Sequence, residues 1–475
     1  MEWDALRKSG LMNLFSAFGK SISLPQGIFY WTGRAKKEAE INATIGSAYG
    51  PESEIVDGKP DKPVTFYLPS VHRWFGKLKS EETFPYAPVL GLPDLRAAWK
   101  EWILRKCADA RQRIEPCLTL PAVTPGSTGA LHIVAKMFVD RDEVVVSPDR
   151  MWENYENVVE RNVGGRIETF PFFDGDHFNV KGMQRKLLDT LGGQSKALLI
   201  LNFPNNPVGY LPKREAVGPI VQALVDVAEQ TEKSLIVVLD DAYEGYVYDP
   251  EAIQRSIFPE LCDAHRRILP IKIDGISKEF LFYGGRVGTM TFGLPSSLDV
   301  DRKALQGELD NKLGGVVRST VSNCSMPVQS AIVKVLGGLD KALAERQRVV
   351  EVLARRARLL AAELAKLALP QLKPLPFNAG FFCFCDVEGI PAAKLADHLL
   401  TKYKTAVVPT ESARINGIRI AFCSVPEKDI PRLVQNIAGA IRDLSCRGDP
   451  CDRHPAVGAL THIRGDHKDR PYNSG

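Results

Sequence analysis

The chain contains no apolar run approaching the roughly 20 residues that a membrane span requires, so no membrane partner is expected. It also lacks a strong charge bias. Lys and Arg total 61 against 57 Asp and Glu, and a formal charge of +4 over 475 residues does not point to nucleic acid. The opening MEWDALRKSG carries acids and has no apolar stretch of signal-peptide type. Cysteine is sparse and scattered: nine residues, an odd number, without metal-ligand spacing. Cys383 and Cys385 stand one residue apart and alternate with Phe382 and Phe384, which predicts a strand with small buried thiols. These absences lead to an expectation of a reducing, cytoplasmic setting and no metal. What is present is ordinary globular composition, 44% hydrophobic and 25% charged, in a chain long enough for several domains.

Short continuous apolar runs punctuate the middle of the chain, DEVVVSPD (142–149), KALLILNF (196–203) and SLIVVLDD (234–241), and ILPIKI (268–273) is a further strand-like run. Each stops abruptly at polar or proline residues, as strands buried on both faces do. Helical stretches such as 214–230 lie between them. This alternation predicts an α/β fold with a mainly parallel sheet covered by helices. A long helix is predicted over 341–369, with Leu353, Ala357, Leu360, Leu364 and Leu367 as its apolar stripe and Pro370 as its stop. Strands at 380–387 and 417–424 then complete a smaller α+β domain. The expected division is an N-terminal arm (1–70), a large domain (71–325), a small domain (326–445) and a polar, aperiodic tail (446–475). Residues 1–21 are expected to form an amphipathic helix with Leu6, Leu11, Leu14 and Phe15 on one side.

In open α/β sheets, ligands gather beyond the carboxyl ends of the strands. Asp240 ends one apolar run, and Tyr243 follows three residues later. Lys278 follows another run, with Arg286 eight residues on. A lysine in apolar surroundings can lose its proton and attack carbonyls, and an arginine suits a phosphate. TPGSTGALHIVAKMF (124–138) places Gly126, Ser127 and Thr128 at a helix start, which reads equally as an anion cradle or as a simple N-cap. FPNNPVG (203–209) sets Asn206 in a turn after a strand. Trp152 in SPDRMWENYENV (147–158) is either a core aromatic or a flat face for a ring. A nucleophilic amine, phosphate donors, a carboxylate, a phenol, an amide and an aromatic face together match the needs of pyridoxal 5'-phosphate.

In their order these segments resemble the pyridoxal-phosphate-dependent class I/II aminotransferases of fold type I, most closely the aspartate and aromatic branch. INATIG (41–46) resembles the early substrate loop, with Gly46 at its glycine. YAPVLGLPDLR (86–96) is similar to the stretch whose tyrosine, here Tyr86, reaches the phosphate of the neighbouring subunit. SKEFLFYGGRVG (277–288) carries Lys278, Tyr283 and Arg286 at family spacing. The resemblance implies a three-layer αβα fold with a smaller α+β domain, and a homodimer with shared active sites. It also implies transfer of an amino group from an L-amino acid, dicarboxylic or aromatic, to a 2-oxo acid. That reaction is ping-pong, through an internal aldimine on Lys278. Asp240 would serve the ring nitrogen, Tyr243 and Asn206 the ring oxygen, and Trp152 the ring face. Ser127, Thr128, Ser277, Arg286 and Tyr86 would bind the phosphate, and Gly46, Trp152, Asn206 and Arg419 the substrate. Arg318, in VVRSTVSNCS (316–325), resembles the arginine that reads a side-chain carboxylate across the dimer. The family usually has a serine three residues before the lysine; this chain has Gly275 there. A β-lyase, a β-decarboxylase or a cyclopropane-forming synthase would need the same Lys278 and Asp240.

Overall fold

The computed structural model describes residues 3–24 and 26–445; the predicted tail lies outside them. Seven strands form the central sheet: β1 (Ala122–Thr124), β2 (Val144–Pro148), β3 (Arg166–Phe170), β4 (Lys196–Leu201), β5 (Ser234–Asp240), β6 (Ile268–Gly275) and β7 (Gly288–Phe292). Their order is β1-β7-β6-β5-β4-β2-β3. All pairings from β6 to β3 are parallel, and β7 runs antiparallel to both of its neighbours. Parallel neighbours need crossovers, and helices supply them. The helices used below are α1 (Gln26–Glu38), α2 (Pro93–Lys106), α3 (Gly126–Phe138), α4 (Arg214–Thr231), α5 (Ile276–Glu279) and α6 (Leu339–Ala365).

The apolar strand runs are explained by burial on both faces. Leu235, Val237 and Leu239 of β5 pack with Leu224 and Val227 of α4. Ile236 and Val238 pack in a second core with Leu131 and Val134 of α3. Side chains alternate along a strand, so Asp240 falls on the α3 face and Asp241 continues the other. The same alternation in β6 puts Ile271 and Ile273 on the α3 side and leaves Lys272 and Asp274 on the opposite side.

A second sheet of four antiparallel strands, β8 (Leu372–Pro374), β9 (Cys383–Val387), β10 (Val408–Glu411) and β11 (Asn416–Ile420), has the order β8-β9-β11-β10. Cys383 and Cys385 are buried in β9, alternating with Phe382 and Phe384, which are buried as well. The long helix ends at Ala365, four residues before the predicted end at 369, and buries Leu353, Ala357, Leu360 and Leu364. We retain the division at residues 70, 325 and 445 as a proposal. Among the described residues, no helix is long and apolar enough to cross a membrane.

The single amphipathic helix expected near the N-terminus is not formed. Asp4–Lys8, Leu11–Leu14 and Ala17–Ser21 are separate short turns. Gly10 adopts φ +75°, a left-handed conformation that ends a helix, and the Ser16 hydroxyl caps a new one by accepting from the Gly19 amide. Leu11, Leu14 and Phe15 are exposed rather than gathered on a packed face.

Candidate functional site

A cavity of about 410 Å³ opens at the carboxyl ends of β5 and β6, where they meet the small sheet. Lys278 and Asp240 both line it, with Tyr243, Asn206, Trp152, Ser127, Thr128, Ser277, Arg286, Gly46 and Arg419. Residues distant in sequence are thus brought to one place. Tyr86 and Arg318 are not: Tyr86 is 90% exposed, and the exposed Arg318 side chain hydrogen-bonds Ser322 of its own helix end. Neither lines the cavity of this chain.

One end of the cavity is a nest of anion donors. The amino end of α3 begins at Gly126 with φ +72°, and a Cβ there would sit 2.8 Å from the Arg286 guanidinium. Glycine is required both for the turn and for that approach. The Arg286 Nη1 donates to the Ser277 hydroxyl at 3.3 Å and to the Tyr283 carbonyl at 3.3 Å. Gly275 also has a reason: a Cβ there would collide with the Ser127 hydroxyl. Ser127 thus fills the space a side chain at 275 would need. Ser127 in turn donates to the Asp274 carbonyl at 3.4 Å.

Lys278 sits in the short turn α5. Its Nζ donates to the Gly46 carbonyl at 2.8 Å and lies 4.7 Å from the centre of the Tyr283 ring. Burial lowers its pKa to about 8, helped by the charges of Arg286 and Arg419 and opposed by Cys423. A buried amine with a lowered pKa is of the kind that can act as a nucleophile or carry a proton. Asp240 is buried; its Oδ2 accepts from the Tyr155 hydroxyl at 2.6 Å, and its backbone carbonyl from Asn202 at 2.7 Å. Burial raises its carboxyl pKa, against the stabilising bond from Tyr155. Burial likewise raises the Tyr243 phenol, while Arg419 draws it back.

Arg419 reaches in from β11. Its guanidinium donates to the Asn206 side chain at 3.1 Å and to the Thr44 carbonyl at 3.0 Å, and stacks 4.4 Å from the Phe382 ring centre. Its Nε is buried without a partner among the described residues. A buried, unsatisfied guanidinium donor favours an incoming anion. The lining carries three cations (Lys278, Arg286, Arg419) and one carboxylate (Asp240), a balance suited to anionic ligands. Ile28, Ile45 and Phe382 give it apolar walls.

Several contributors had no role assigned from sequence. Tyr155 and Asn202 hold Asp240 from behind, and Tyr283 packs on Lys278. Tyr155 lay within the quoted WENY segment and Tyr283 within SKEFLFY, so their positions were visible but their contacts were not. Ile28 comes from α1, for which the sequence offered only an apolar residue in an unassigned segment.

Comparison with known proteins shows the family and the fold. Residues 63–437 match the family described as aminotransferase class I and II. An aspartate aminotransferase from Pyrococcus abyssi is 26% identical over 356 residues, covering 72% of this chain and 80% of the relative. An aromatic-amino-acid aminotransferase from Thermococcus litoralis is 25% identical, with the same coverage of 72% and 80%. The crystal structure of an aminotransferase from Anaerococcus prevotii superposes with a TM-score of 0.75 at 22% identity, covering 90% of this chain and 99% of that one.

Proposed function

This chain belongs to the aminotransferase class I and II family, and from that premise we propose that it moves an amino group from an L-amino acid to a 2-oxo acid by a ping-pong cycle, with pyridoxal 5'-phosphate held on Lys278. The observation that carries the reading is the meeting of Lys278, its pKa lowered, with buried Asp240 and the donor nest of Ser127, Thr128, Ser277 and Arg286 in one cavity. The residues fit the cofactor: an amine, a carboxylate, the phenols of Tyr243 and Tyr283 and a cationic cradle, with space beside Gly126 that only glycine leaves open.

When bound, the cofactor supplies an aldehyde that condenses with amines and a ring that withdraws electrons from the substrate α-carbon. Lys278 Nζ would be the point of attachment, and once free it would be the group that takes the proton from the substrate α-carbon and holds it for return. Asp240 would be the charge partner of the ring nitrogen, and Tyr155 keeps its carboxylate aimed by donating to Oδ2. Tyr243 and Asn206 would serve the ring oxygen, and Trp152 would offer its face to the ring. The Arg419 guanidinium pairs with the substrate α-carboxylate, a two-point contact that fixes the α-carbon near Nζ.

Dicarboxylic and aromatic donors are the favoured substrates. Support comes from the names of the relatives, aspartate and aromatic-amino-acid aminotransferases, and from the apolar walls of Ile28, Ile45 and Phe382. Exposed Tyr86 and Arg318 suit contact with the cavity of a second copy, so the working form is a homodimer. The seven described cysteines are unpaired and buried, which fits the cytoplasm.

Steady-state turnover with L-aspartate, L-glutamate or an aromatic amino acid is expected to depend absolutely on an added 2-oxo acid, with parallel double-reciprocal plots. Sustained turnover of the amino acid alone, releasing ammonia, carbon dioxide or a cyclised product, would replace transfer with lyase, decarboxylase or synthase chemistry.

A further inference from the structure

Behind the cavity, on the opposite face of the sheet, lies a buried ionic cluster. Lys272 of β6 is fully buried, and its Nζ contacts Asp241 at 2.5 Å, Glu244 at 2.8 Å and Asp274 at 2.9 Å. Lys106, at the end of α2, contacts Glu244 at 2.6 Å, Glu279 at 2.9 Å and Asp274 at 3.4 Å. Two indoles of α2 complete the carboxylates: Trp102 donates to Glu279 at 2.6 Å and Trp99 to Asp274 at 3.2 Å. The Ser256 amide donates to Glu244 at 2.9 Å. Asp241, Glu244 and Asp274 come within 4.8 Å of one another, as metal ligands would; the cation they hold is the Lys272 ammonium. None of these six ionic side chains lines the cavity.

The cluster meets the site through the chain itself. Asp241 immediately follows Asp240, and Glu279 immediately follows Lys278. Asp274, which ties Lys272 to Lys106, also gives its carbonyl to Ser127. The Lys278 carbonyl accepts from Tyr246 at 2.7 Å. Lys278 sits on a helix of only four residues, followed by Leu281 at φ +52° and Arg286 at φ +53°. So short a turn carries little order of its own, and its placement depends on what grips its side chains.

We propose that Lys106 and Lys272 are positioning residues for the reaction, each clamping the carboxylate that follows a site residue: Glu279 after Lys278, and Asp241 after Asp240. The proposal rests on the roles given above to Lys278 and Asp240. A buried ion pair is weak evidence of stability, because charge-balanced apolar replacement is often neutral or favourable. Geometry is what the pairs supply: each ammonium group joins carboxylates from separate segments, which fixes the ends of β5 and β6 relative to α2. Displacement by about 1 Å at the reacting group can cost about 100-fold in rate.

The test uses the full-length protein with three variants: Lys106→Met, Glu279→Gln and the double variant, in which the cluster keeps its wild-type net charge. The single variants are expected to lower Tm, and the double variant to recover it. In all three, kcat is expected to fall about 10- to 100-fold, with KM for the amino donor within about twofold of wild type. A second readout needs no cofactor: the rate of reductive methylation of Lys278 in apo-protein, followed by peptide mass spectrometry. Glu279→Gln is expected to change that rate at least about threefold, with surface lysines unaffected. A double variant with both restored Tm and wild-type kcat would overturn the proposal, as would unchanged Lys278 labelling. Failure of the proposed function shows separately, as wild-type protein without a cofactor band; the labelling comparison stands in either case.

Discussion

Lys278→Met is expected to abolish transfer, lowering kcat by about 10⁶-fold, the scale seen when a covalent nucleophile is removed. Lys278 carries the only amine among the described residues lining the cavity, so no neighbour can take over its attachment or its proton. The variant is expected to fold, and apo-protein stability should move the other way. Burial holds the Lys278 pKa near 8 against an ordinary 10.5. A lowered lysine pKa means that the folded state binds the proton less well than the unfolded chain. The folded wild type is therefore penalised in full below pH 8, and the penalty is lifted as the pH rises toward 10.5. Methionine removes it. Urea denaturation of apo-protein at pH 7 should find Lys278→Met more stable than wild type by about 2 kcal/mol, allowing for partial exposure. The gap should close by pH 10.5. A variant less stable than wild type at pH 7, or one retaining more than a hundredth of the wild-type kcat, would contradict this assignment.

The second large effect is expected at Asp240. Asp240→Asn preserves the shape of the side chain and its bond from Tyr155, while removing the charge opposite the ring nitrogen. Loss of one preorganised electrostatic group costs about 10²- to 10³-fold in kcat, and KM should change little because Arg419 still holds the substrate. Stability should not fall. Burial raises the Asp240 pKa, so the carboxylate is itself unfavourable in the folded apo-protein at neutral pH, and a neutral amide relieves that. A kcat within threefold of wild type would remove Asp240 from the mechanism.

The sheet was legible because strands buried on both faces leave short, continuous runs of Val, Ile and Leu with sharp ends. Those ends also marked the cavity. Asp240, Asn206 and Lys278 all lie at or just past them, where a parallel sheet exposes its loops. The N-terminal segment was misread because its apolar spacing suggested one helix, whereas Gly10 and the Ser16 cap divide it. The ionic cluster was invisible for a different reason. In ILPIKI the lysine interrupts an otherwise apolar strand, and nothing local says that Asp241, Glu244 and Asp274 converge on it. Such convergence is set by the register of β5 against β6 and by the arrival of α2 from far earlier in the chain, as the contacts of Lys106 with Glu244 and Glu279, 138 and 173 residues away, illustrate. Gly275 was readable only as a departure. The position of the Ser127 hydroxyl explains it.

The most direct measurement is the absorbance spectrum of purified protein supplied with pyridoxal phosphate, before and after L-aspartate is added without any 2-oxo acid. The account predicts a yellow protein whose visible band is lost in Lys278→Met. In wild type that band bleaches with the amino acid and returns on addition of a 2-oxo acid. A protein that stays colourless with the cofactor present would contradict the central claim that Lys278 and the surrounding cavity hold it.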